Sequence, residues 1–144
     1  MDLNDLYTYA DNCGYHIDCF DLHHVECMSL TSDGEYYIAI NPFALTSYAE
    51  EKVKLAHEVG HCETHAFYDQ HTSPLVRSRC ETKAVKWAIK KLIPKDELIE
   101  EYKHGTETAY ELAEHFGVPV DFMQTAIEFY CNNRLGVGTY EKKF

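Results

Sequence analysis

The chain has 144 residues, 45% of them apolar and 26% charged, and a net charge of −11. That length fits one domain, and that composition excludes a disordered or collagen-like chain. There is no apolar run of the roughly eighteen residues a membrane span needs, and the start (Met1-Asp2-Leu3-Asn4-Asp5-Leu6) is acidic, so a cytoplasmic protein is expected.

Taken in order, Asp2 to Asp11 predicts a short helix with Leu3, Leu6 and Tyr7 on one side. From Gly14 to Asn41 the texture is β: Tyr15, Ile17 and Cys19 alternate, Val25 to Leu30 is a second run and Tyr36 to Ile40 a third. Ser32-Asp33-Gly34 marks a hairpin between the last two, so a small antiparallel sheet is expected. Thr46 or Ser47 can cap a helix running to about Phe67, with Glu50 and Glu51 in its first turn. A loop leads to a second helix from about Leu75 to Leu92, stopped before Pro94. Shorter helices are expected over 95–103, 106–116 and 119–133, then an irregular tail. The expected organisation is one α+β domain: helix and sheet over 1–45, a helix pair over 46–94, C-terminal helices over 95–133 and a tail over 134–144.

The first long helix carries His57-Glu58-Val59-Gly60-His61, an H-E-x-x-H motif. Residues four apart share a helix face, so both imidazoles can reach one zinc ion with Glu58 beside it. Leu55, Val59, Cys62 and Ala66 form the anchoring stripe, and the histidines lie on the far side, as on one wall of a cleft. The extended form H-E-x-x-H-x-x-G-x-x-H fails, because Thr64 and Phe67 stand at its glycine and third histidine. His65 is therefore expected beside the site or on the surface, not on the metal.

In the second helix Glu81 shares a stripe with Ala84, Val85, Ala88 and Leu92, while Arg79, Lys83, Lys86 and Lys90 share the opposite face. A carboxylate on the apolar side needs a compensating cation. Zinc held by His57 and His61 would supply one; pairing with Arg77 or a histidine is the alternative. Two histidines and one glutamate leave a fourth zinc position for water, the catalytic pattern, and Glu58 would then serve as general base. Tyr68, His65, His71 and His104 are all candidates for holding an oxyanion, and the sequence does not choose among them.

With Glu81-Thr82-Lys83-Ala84-Val85-Lys86-Trp87-Ala88 and Leu92-Ile93-Pro94, the motif resembles the ImmA/IrrE family of small metallopeptidases, over about residues 47–130. Glu81, Ala84, Ala88, Leu92 and Pro94 match that family's second motif. Trp87, Lys83 and Val85 depart from it, leaving Glu81 as its available carboxylate ligand. The resemblance implies a small zincin-like, gluzincin fold, a zinc cofactor and endopeptidase activity. It further implies a protein substrate, often a helix-turn-helix repressor of a phage or mobile element.

Two other readings compete: a catalytically silent protein of this fold that regulates by binding a transcriptional regulator, and a DNA-binding regulator. Eight of the thirteen basic residues lie between Arg77 and Lys103, and residues 106–130 carry five acids and no lysine or arginine. Direct nucleic-acid and membrane partners are not expected from such a balance. The six cysteines contain no C-x-x-C pair and are expected as free thiols.

Overall fold

In the computed structural model, which describes residues 1–106 and 108–132, the chain is α+β. The elements are α1 (Leu3–Asn12), β1 (His16–Cys19), β2 (Cys27–Ser32), β3 (Glu35–Ile40), α2 (Tyr48–Thr64) and α3 (Pro74–Leu92), followed by α4 (Lys95–Lys103), α5 (Ala109–Phe116) and α6 (Val120–Asn132). The expected tail lies outside the described residues.

Side chains whose oxygens answer the first free N–H groups explain where several helices start. Asp2 and Asp5 form a reciprocal capping box on α1, and Ser47 Oγ accepts from the Glu50 N–H at 3.1 Å. Pro74 opens α3 behind Ser73. α5 begins at Ala109, three residues later than expected, because Thr108 is its cap and accepts from the Glu111 N–H at 3.2 Å.

The sheet is mixed, which corrects the antiparallel expectation. β2 and β3 form the expected antiparallel hairpin, with Cys27 opposite Ile40. β1 lies parallel to β3, with Ile17 opposite Ile38, giving the order β1-β3-β2. Buried Asn41 braces the connection between β1 and β2, donating to the carbonyls of His23 and Val25 at 3.2 and 3.0 Å. The order leaves β2 as an edge strand.

α2 packs against α1, β2, β3 and α3, and its residues from Lys52 to Cys62 are all buried except Lys54. The core gathers Leu6 and Ala10 of α1, Ile38 and Ile40 of β3, and Leu55 and Val59 of α2. Val85 and Ile89 of α3 join them, as do Phe116, Phe122, Met123 and Phe129 from α5 and α6. The C-terminal helix pair thus contributes directly to the one hydrophobic core. All six cysteines are free.

α2 ends at Thr64, short of the expected Phe67. His65 adopts the left-handed conformation (φ 52°) and Ala66 N–H turns back onto the His61 carbonyl at 3.0 Å. A left-handed residue stops a helix and caps its last carbonyls. Here the stop also presents the Ala66 carbonyl to the ring of His61.

Candidate metal centre

His57 and His61 stand one turn apart on α2, with their rings 77° from coplanar and Nε2 atoms 3.2 Å apart. Both are nearly sealed from solvent, at 6% and 5% exposure, so they are not histidines of a solvated face. α3 delivers Glu81 to the same point. Its Oε2 accepts from His57 Nε2 at 2.6 Å, and Oε1 lies 3.4 Å from His61 Nε2. The flank that carries Glu81 also carries Ala84, Val85, Ala88 and Leu92, all buried, so the stripe read from the sequence exists.

These donors fit one metal ion. The candidate atoms of His57, His61 and Glu81 all lie within 4.8 Å of one another, and among the described residues this is the group so arranged. Two atoms bound to one ion at about 2.0–2.1 Å in a tetrahedral arrangement sit about 3.3 Å apart. The 3.2 and 3.4 Å separations match that spacing, whereas the 2.6 Å hydrogen bond between His57 Nε2 and Glu81 Oε2 would open for both to hold the ion. His61 Nδ1 donates to the Ala66 carbonyl at 2.6 Å, which aims Nε2 inward, where its lone pair would face a bound ion once its proton is lost. Two imidazoles and a carboxylate suit a divalent cation and leave room for a further ligand.

Charge is concentrated here. Burial opposes ionisation of Glu81, but hydrogen bonds from His57 and His61 outweigh it and hold the carboxyl well below its usual range. Burial likewise works against charged His61; the hydrogen bond to Glu81 and the nearby Glu58 and Glu81 carboxylates prevail, and its pKa lies above 6.5.

Glu58 is 7% exposed and lines an open cleft of about 220 Å³ beside the donors. Cys27, Met28 and Ser29 of β2 form one wall of this cleft, and Ala66, Phe67 and Tyr68 form another. Cys27 Sγ donates to Glu58 Oε1 at 3.4 Å, and burial followed by that carboxylate pushes the thiol's pKa up, so it stays protonated. Tyr68 OH donates to Glu81 Oε1 at 2.5 Å, and burial together with Glu81 raises the phenol's pKa.

His65 faces away, its Nδ1 2.5 Å from Tyr36 OH, while the ring of Tyr36 stacks on Phe67. His65 therefore braces the turn after α2. The part played by Cys27 was not visible in the sequence: it lies 31 positions before Glu58 and meets it only because β2 packs on α2. Gly60 did carry a signal. A glycine inside a long helix costs about 1 kcal/mol and marks a close approach when retained. A Cβ there would lie 2.7 Å from the Ala84 carbonyl oxygen of α3.

No curated protein and no solved structure matches the chain. The family model Peptidase_M78, described as the IrrE N-terminal-like domain, matches residues 16–128, from the start of β1 into α6. With both motif-bearing helices inside that match, the chain belongs to the Peptidase_M78 family of IrrE N-terminal-like domains.

Proposed function

We propose that this protein is a zinc-dependent endopeptidase that cleaves a protein partner in the cytoplasm. The observation that carries the reading is the meeting of His57, His61 and Glu81 in a cleft that Glu58 also lines. A structural zinc site would be closed by four protein ligands. Zinc at such a centre supplies Lewis acidity, polarising a carbonyl and making water nucleophilic near neutral pH.

The chain's own groups do the rest. Glu58 takes the proton of the attacking water and returns it to the leaving amine, so no proton is gained or lost overall. Cys27 holds Glu58 towards the cleft through Oε1. His61 keeps its aim through the Ala66 carbonyl. β2 has no strand on its outer side among the described residues, and Cys27 to Ser29 line the cleft, so an extended substrate can pair with that edge. The family resemblance favours a helix-turn-helix repressor as the partner, and a gluzincin arrangement in which Glu81 is the third zinc ligand.

The test is a proteome-derived peptide library incubated with the zinc-loaded chain and with Glu58→Gln, new termini being read by mass spectrometry. Cleavage by the parent that falls about 10²–10⁴-fold in the mutant, with zinc per chain unchanged, supports the reading. Absence of Glu58-dependent cleavage overturns it and leaves a protein that acts by binding.

A further inference from the structure

A peptidase of this type needs a hydrogen-bond donor where the scissile carbonyl oxygen gains negative charge. Four side chains are chemically suited, and the structure separates them. His65 is engaged with Tyr36 on the side of the sheet. His71 sits on an exposed loop with its ring against Gln70 at 3.4 Å, and His104 is the exposed cap at the end of α4. Tyr68 lines the cleft, 42% exposed, with its hydroxyl on Glu81 Oε1.

We propose that Tyr68 is a second catalytic side chain of this centre, its phenol donating to the scissile carbonyl oxygen as that oxygen becomes anionic. The proposal rests on the peptidase reading and names a further working group within it. The phenol has one proton, held by Glu81 in the resting protein. A substrate oxygen arriving in the cleft offers that proton a second acceptor, and the O–H bond itself is never broken. Exchange of one acceptor for another keeps the phenol hydrogen-bonded, while Glu81 Oε1 gives up that donor.

The loop that carries Tyr68 is pinned on both sides. Ala66, two residues earlier, accepts from His61. Arg77 of α3 donates from Nη2 to the Gln70 carbonyl at 2.9 Å and from Nε to the Thr72 carbonyl at 3.1 Å. Its guanidinium lies 5.9 Å from the centre of the Tyr68 ring. Asp69 closes the turn between these anchors by accepting from the His71 N–H at 2.8 Å. A donor on a loop held in place before substrate arrives needs only to turn its O–H from Glu81 to the substrate oxygen, and oxyanion donors are worth about 10²–10³ in kcat. Glu58 and Tyr68 line the same cleft, so base and donor can serve one substrate.

The experiment uses the full zinc-loaded chain and one peptide that it cleaves in a Glu58-dependent way. Tyr68→Phe should lower kcat by about 10²–10³ with KM within about threefold, while zinc per chain stays at the parental value. A phosphonate analogue of that peptide, whose charged oxygen stands in for the anionic carbonyl oxygen, should bind more weakly by the same factor as kcat/KM falls. His71→Ala and His104→Ala should keep parental kcat. A kcat within threefold of the parent in Tyr68→Phe overturns the proposal. So does a loss of zinc affinity whose effect on kcat disappears at saturating zinc, which would make Tyr68 only an orienter of Glu81. If no peptide is cut in a Glu58-dependent way, the peptidase reading falls and this proposal with it; a Glu58-dependent substrate whose kcat survives Tyr68→Phe overturns this proposal alone.

Discussion

Gly60 of α2 and Ala84 of α3 are in such close apposition that a Cβ on Gly60 would sit 2.7 Å from the Ala84 carbonyl oxygen and 3.1 Å from its Cα. The atoms in the way are backbone, which cannot swing aside. This contact sets the distance between the helix that carries His57 and His61 and the helix that carries Glu81. The same glycine lies inside H-E-x-x-H, so that segment also encodes the spacing between the two helices.

Gly60→Ala should therefore destabilise the metal-free protein by about 1–3 kcal/mol, the cost of overpacking, despite the better helix propensity of alanine. A urea unfolding midpoint measured on metal-free protein checks this without interference from metal loss. A gain of about 1 kcal/mol, as at an open helix position, would show that the contact does not limit the approach of α3. Zinc retention after dialysis should fall in the same variant.

His57→Ala, His61→Ala and Glu81→Ala should each reduce bound zinc from near one per chain to near none, as emission spectrometry after dialysis would show. His65→Ala should keep its zinc, because the His65 ring is spent on Tyr36. If Glu81→Ala binds zinc as tightly as the parent, Glu81 is a hydrogen-bond acceptor for the two histidines and nothing more.

Zinc and protons compete for the same imidazole nitrogens. The pKa of His61 is raised in the metal-free protein, so occupancy at fixed free zinc should start to fall above pH 6.5 as pH is lowered. Glu81, with its pKa lowered, remains ionised through that range. The metal-free protein should behave in the opposite sense. A raised folded pKa contributes stability that is complete below the unfolded value and lost as pH rises through the folded one. Unfolding midpoints at pH 5.5 to 8.5, with and without zinc, should thus move in opposite directions; a flat zinc titration over this span would rule out histidine ligation.

Lys52 is 6% exposed and donates from Nζ to the carbonyls of Phe116 at 2.6 Å and Met1 at 3.2 Å. It ties α2 to the C-terminal end of α5, where an ammonium also meets the negative end of the helix dipole. Burial lowers its pKa, and the Asp2 carboxylate opposes that shift. Lys52→Ala should cost about 1.5–3 kcal/mol in chemical denaturation, as for loss of hydrogen bonds to a charged group. A change below 0.5 kcal/mol, the range typical of surface sites, would mean that water replaces the tie without penalty.

Sequence alone determined what depends on spacing along one element. Two histidines four apart on a helix must share a face, and a glutamate within an apolar stripe must be carried inward with it; His57, His61 and Glu81 do converge. Helix starts close to Ser47 and Pro74, and the end at Leu92, followed from caps and prolines that act within a turn. Tertiary structure decided whatever joins distant positions. Alternation along Tyr15 to Cys19 showed a strand but held no information on its partner, and β1 proved to run parallel to β3. Periodicity carried α2 on to Phe67, whereas packing of Tyr36 against His65 and Phe67 accompanies a left-handed stop after Thr64. The meetings of Cys27 with Glu58 and of Tyr68 with Glu81 are contacts across 31 and 13 positions. Helical periodicity repeats every 3.6 residues and reports which face a side chain takes; it says nothing about which segment will cover that face.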